Sequence, residues 1–129
     1  MTIRALAVLS AVQLLFGCSR HLPNGSHESP FDEVLWRSAQ GLEQDKASIT
    51  PRQKMLGDLV DKNLLGKTRT EVIALLGDPS TKMDPDGLGP ALSYPTGFER
   101  GSHIRIDSEW LLIYFNSAGK MARYEIGVD

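Results

Sequence analysis

At 129 residues the chain is long enough for one small domain, and its 41% hydrophobic and 23% charged residues are ordinary for a folded globular protein. A net charge of −2 supplies no basic excess for nucleic acid. Three His and one Cys leave little material for a metal centre, and a single Cys cannot form an intramolecular disulfide.

The chain opens with "MTIRALAVLSAVQLLFGC", in which Arg4 precedes an uncharged run from Ala5 to Gly17. A bilayer span takes about 20 apolar residues, so this run is too short to cross a membrane and fits the apolar core of a secretory signal. Its end, "LFGC" (Leu15 to Cys18), resembles the bacterial lipobox. The resemblance implies cleavage after residue 17 and acylation of Cys18, which also accounts for an unpaired thiol in an exported chain. Each buried acyl CH₂ contributes roughly 0.8 kcal/mol, and two or more chains anchor stably. Ser19, rather than Asp, follows the Cys. In a bacterium with two membranes this implies the periplasmic face of the outer membrane.

Residues 18–30 continue as "CSRHLPNGSHESP", and their Pro, Gly, Asn, Ser and His content predicts a flexible tether. His21 and His27 lie in it at no metal-ligand spacing. The segment 31–49 predicts a short helix or turn docked on the domain, with Phe31, Val34, Leu35, Ala39 and Leu42 on one face and Trp36 as anchor.

The domain proper is expected over 50–129. Thr50, Pro51 and Gln53 write out a helix start with a capping box. Met55, Leu56, Leu59, Val60 and Leu64 then form an apolar face, and Lys54, Asp58, Asp61 and Lys62 a solvated one. Gly66 ends that helix. A second capping box, Thr68 with Glu71, opens a two-turn helix in which Val72, Ile73, Leu75 and Leu76 are apolar, and Gly77 and Pro79 stop it. A helix this short must be covered by its neighbours to be stable.

"DPDGLGP" (Asp84 to Pro90) is turn chemistry; Asp84 and Asp86 lack the remainder of a calcium loop. "ALSYP" predicts a first strand, and the Gly97–Ser108 stretch a connection in which Ile104 and Ile106 alternate. "EWLLIYFNSAGKMARYEI" predicts a hairpin with Gly119 in the left-handed position, pairing Phe115 with Met121. Leu111, Ile113, Phe115 and Met121 then share the face toward the helices. Trp110, Leu112, Tyr114, Ala122, Tyr124 and Ile126 share the other. Arg123 and Glu125 fall on the first face, a conflict that a bulge at an unassigned position would resolve.

The expected class is therefore α+β: two N-terminal helices packed on a three-stranded antiparallel sheet (ααβββ), behind a signal peptide (1–17) and linker. The lipobox-like Cys, the pattern Gly66, Thr68, Val72, Leu76, Gly77, Pro79, and the closing hairpin together resemble the SmpA/OmlA/BamE group of small outer-membrane lipoproteins. The resemblance covers about residues 50–129, and the segment 31–49 lies outside it. It implies a membrane-anchored, non-enzymatic accessory or scaffold module of the cell envelope, linked to outer-membrane protein assembly. The plan is also similar to β-lactamase-inhibitor-like domains, which implies instead an inhibitor or ligand-sensing module that binds a periplasmic protein.

Ser102, His103, Asp107 and Ser108 are neighbours in sequence, but a catalytic triad is normally assembled from separated segments. Asp107 and Glu109 bracket a strand start, where charges are usually solvated. No nucleophile elbow or phosphate loop is present. The expected partners are thus a membrane, through Cys18, and an envelope protein. Trp110 and Tyr114 are the candidate partner-binding residues, since aromatics with polar tips suit a half-wet surface. No cofactor or metal is expected.

Overall fold

The computed structural model describes residues 22–80, 92–100 and 107–128. Cys18, Asp84, Asp86, Ser102, His103, Ile104 and Ile106 lie outside them. The chain is α+β: a few short helices precede a three-stranded antiparallel sheet. They are α1 (Glu33–Arg37), a 3₁₀ turn (Ala39–Leu42), α2 (Pro51–Lys54), α3 (Leu56–Asp58), a π turn (Leu59–Asn63) and α4 (Arg69–Leu76). The strands β1 (Leu92–Phe98), β2 (Ser108–Phe115) and β3 (Met121–Val128) follow as a meander.

Both capping boxes form. Thr50 Oγ1 accepts from Gln53 N while Gln53 Oε1 accepts from Thr50 N. Thr68 Oγ1 and Glu71 Oε1 make the same exchange at the head of α4. At its other end Gly77 takes a φ of 88°, and its carbonyl accepts from Tyr94 Oη at 2.8 Å. Burial, and then the nearby Asp78, push the Tyr94 hydroxyl up to about 12, so it stays a donor to this helix end at any ordinary pH.

The expected continuous helix from Pro51 is interrupted. Met55 leaves helical geometry (φ −97°, ψ 2°), and the turn from Leu59 widens to π spacing. Two backbone groups that an unbroken helix would pair internally turn outward instead. Gly57 N–H donates to Ser26 O at 2.6 Å, and Lys54 O accepts from Ser29 N–H at 3.1 Å. Residues 26–29 thereby complete the hydrogen bonding of the broken turn. Gly57 permits the approach: a Cβ there would lie 2.3 Å from the His27 ring.

This corrects two expectations. From Leu22 the segment read as tether is packed and hydrogen-bonded: Leu22 lies against the core, and Ser26 is buried. The helix face read as solvated also holds the segment that follows. Asp58 accepts from Phe31 N–H at 2.7 Å and pairs with Lys62 at 3.2 Å, while Lys54 pairs with Asp45 at 2.7 Å. The segment 31–49 docks through Trp36, which is fully buried against Phe31 and Tyr94. Its expected apolar face forms only in part: Phe31 and Leu35 pack against the core. Val34, Ala39 and Leu42 are exposed, because α1 lasts five residues before Ser38 ends it. The Trp36 indole N–H finds no hydrogen-bond partner among the described residues. Arg52 lies 4.7 Å from the Trp36 ring and donates to Trp36 O and Pro95 O, tying α1 and β1 to α2. Burial lowers this guanidinium to about 10, which leaves it charged at neutral pH.

The sheet carries two bulges. Pro95 pairs with Trp110 and Gly97 with Glu109, so Thr96 is an extra residue and β1 continues through Phe98 rather than ending at Pro95. Gly97 is needed there: its φ is 151°, and a Cβ would stand 2.9 Å from Gln53 and Thr50. In the hairpin Phe115 pairs with Met121 as expected, with Gly119 at φ 76°, but Tyr114 pairs with Arg123. Ala122 is therefore the extra residue, and every position after it changes face. Tyr124 and Ile126 join Leu111, Ile113, Phe115 and Met121 toward the core; Arg123 and Glu125 move outward. One core cluster unites Trp36, Met55, Leu56, Leu59, Val60, Leu64, Val72 and Leu76 with the inner sheet face.

The Phe31 N–H, and secondarily Lys62, hold the Asp58 carboxyl below the usual carboxylate range. A depressed folded-state pKa contributes stability above the unfolded value, about 3.9, that is lost as pH falls through the folded one. The urea midpoint of Asp58→Ala is expected to lie below wild type at neutral pH. The gap should narrow as the pH drops below about 4; a gap independent of pH would contradict this assignment.

Candidate functional site

Bulge placement decides what the outer face of the sheet presents. Tyr114 on β2 is half-buried and faces Arg123 and Glu125 on β3. The Arg123 guanidinium sits 3.8 Å from the Tyr114 ring centroid and donates to Glu125 Oε1 at 2.6 Å. Tyr114 Oη donates to Glu125 Oε2 at 3.3 Å. An aromatic face, a cation and a carboxylate thus meet on one patch of surface. Such a patch can stack on and hydrogen-bond a partner. Arg123 and Glu125 were not nominated from sequence. Their alternation with Met121, Tyr124 and Ile126 was the available signal, since only a slip after Met121 makes both faces consistent.

Trp110 does not share this exposure. It is on the same face, between Pro95 and Gly127, but only 6% of its surface is accessible. Leu112 beside it is also buried. Strand alternation placed Trp110 on the outer face correctly; the expectation that this face is half-wet at Trp110 is overturned. Its indole N–H has no hydrogen-bond partner among the described residues, which suits a packing role.

The other polar cluster lies at the opposite end of β2. Arg100 grips Glu109 with two bonds of 2.9 Å, and both side chains are nearly inaccessible. Thr96 Oγ1 is 2.6 Å from the same carboxylate, Thr50 Oγ1 donates to Thr96 O, and Gln53 Nε2 donates to Phe98 O. Asp107 is exposed, and its carbonyl accepts from Glu99 N–H. Asp107 and Glu109, weighed above as paired carboxylates at a solvated strand start, therefore do not pair. Glu109 is a core residue neutralised by Arg100, and its hydrogen-bonding capacity is used within the fold.

A groove of about 410 Å³ runs where residues 27–30 cross the helices, lined by His27, Glu28, Ser29, Pro30, Asp58, Asp61 and Lys62. His27 Nε2 stands 3.4 Å from Asp61. Among the described residues no group of three or more His, Cys, Asp or Glu side chains is placed to share a metal ion. Two of the groove's three acids are committed, Asp58 to Phe31 N–H and Lys62, and Asp61 to His27.

No family model matches this chain, nor does any curated protein or solved structure.

Burial separates the two aromatics. Trp110→Ala is expected to lower stability by about 3–5 kcal/mol, as for other buried large aromatics. Tyr114→Phe, which removes one long, exposed hydrogen bond, should leave the denaturation midpoint almost unchanged. A Trp110→Ala midpoint equal to wild type would return Trp110 to the surface.

Proposed function

We propose that the protein is a lipid-anchored, non-enzymatic accessory module of the cell envelope, held at the membrane through Cys18 and engaging an envelope protein through the outer sheet face around Tyr114, Arg123 and Glu125. In this reading Pro51–Asn63 is one interrupted helix and Arg69–Leu76 a second, packed on the sheet in the ααβββ order of the SmpA/OmlA/BamE group. The outer membrane is the proposed location, and outer-membrane protein assembly the proposed context.

The observation that carries the proposal is the apolar run ending in "LFGC" with the chain's only Cys, followed within a few residues by a packed domain. Among the described residues no helix is long and apolar enough to cross a membrane; the anchor in this proposal is the covalent lipid on Cys18. The non-enzymatic part is supported by the polar groups themselves. Glu109, Thr96, Thr50 and Gln53 are spent on each other and on backbone groups, and in the Tyr114 patch the Glu125 carboxylate is bonded to Arg123 and to Tyr114.

Mass spectrometry of the protein purified from membranes is expected to find acyl chains on Cys18. The Cys18→Ser variant should lack them and retain its first 17 residues. A mature wild-type chain free of lipid would contradict the proposal. A photoreactive group at Tyr114 then separates the two kinds of partner: a crosslink to an integral outer-membrane protein supports the accessory role, and one to a soluble periplasmic enzyme supports an inhibitor.

A further inference from the structure

The sheet has two unlike ends. At one, Phe98 pairs with Ser108, and Gly97, Glu109 and Val128 form the adjoining row. At the other, Phe115 pairs with Met121 beside the Asn116–Gly119 turn. Seven residue steps along β2 separate Ser108 from Phe115, roughly 23 Å of strand.

The N-terminal segment enters at the first end. Asn24 O accepts from Arg100 Nη1 at 2.9 Å, and a Cβ on Gly25 would meet Ile49 at 3.2 Å and Arg100 at 3.9 Å. Leu22, two residues earlier, packs on the core. Only four residue steps join Leu22 to Cys18, which span at most about 14 Å. That reach is shorter than the sheet.

Large apolar side chains reach solvent at this end, as Leu65 does beside Gly66, whose N–H bonds Met121 O at the other. Phe98 is 42% and Val128 44% exposed, with Ile49 partly so. The charges of Arg100 and Glu109 beneath them are buried against each other. Glu99 and Asp107 border the patch, carboxylates suited to the ammonium groups of phosphatidylethanolamine rather than to hydrocarbon.

We propose that this end of the domain, bearing Phe98 and Val128, rests on the lipid surface, and that the Asn116–Gly119 turn points away from it. The inference rests on the acyl anchor at Cys18 and adds an orientation to it. A short anchor fixes which end of the body meets the bilayer, and Phe98 and Val128 at that end gain by leaving water. The Tyr114 patch, nearer the turn, then faces a partner standing off the membrane.

The test is depth-dependent quenching. Phe98→Trp, Val128→Trp and Ser117→Trp full-length chains are expressed, purified from membranes and reconstituted in vesicles of phosphatidylethanolamine and phosphatidylglycerol with one acyl chain brominated near its glycerol end. Wild type, whose Trp36 and Trp110 are buried, gives the background. Emission from position 98 or 128 is expected to be quenched severalfold more than emission from position 117. Equal quenching at all three positions, or stronger quenching at 117, overturns the orientation. Mass spectrometry of the same samples distinguishes the two levels. Acyl chains on Cys18 without differential quenching refute the orientation alone, and samples free of acyl chains refute the anchor and the orientation with it. Using both 98 and 128 keeps the test decisive if one variant fails to fold.

Discussion

The structure depends on a backbone exchange between two distant segments. Gly57 N–H and Lys54 O, displaced from the helical ladder at Met55, are satisfied by Ser26 O and Ser29 N–H. A buried backbone group without a partner costs on the order of 1–3 kcal/mol. The interruption is therefore tolerable only while residues 26–29 are in place. The dependence is mutual, because a segment of Pro, Gly, Ser and His has little apolar surface of its own and is held mainly by what the helix offers it. Around this exchange Asp58 takes the Phe31 N–H and Trp36 fills the space between α2 and β1. The N-terminal segment is a structural part of the domain from Leu22.

A second polar constraint sets the other boundary. Gly97 lets β1 approach α2 closely enough for Thr50 and Gln53 to bond the Thr96 and Phe98 carbonyls. Those capping residues thus serve twice, ordering the head of α2 and fixing it to the bulged strand. The Arg100–Glu109 pair closes the same region and reaches Asn24. Such a pair is weak evidence for net stability, since desolvation opposes the attraction. Its geometry is specific, however: two parallel bonds and a hydroxyl accept only one register of β1 on β2 and one path for the entering chain.

What was legible in the sequence is local. The capping boxes at Thr50 and Thr68, the stop at Gly77 and the turn at Gly119 each lie within a few residues of the groups they satisfy, so residue type and spacing carried them. The break at Met55 was not legible because the groups that fill it come from Ser26 and Ser29, and backbone hydrogen bonds leave no trace in composition. Read by composition alone, that segment looked like a tether. Trp110 shows a different limit: alternation tells which face a strand residue takes, not whether that face is covered. The Ala122 bulge was visible only as a contradiction between Arg123 and Glu125 and their apolar neighbours. Resolving it moved both charges beside Tyr114 and defined the candidate surface. Glu109 looked like a solvated charge because its pairing with Arg100 is made across a connection.

The central claim is that residues 22–30 are an integral part of the folded body. Native-state hydrogen exchange of the Gly57 and Ser29 amides tests it most directly. Both are expected to exchange as slowly as the β2 amides, with the same dependence on denaturant, because opening either requires losing the domain. Exchange of Gly57 and Ser29 at rates near those of a free peptide, while the β2 amides remain protected, would show the segment to be a tether after all.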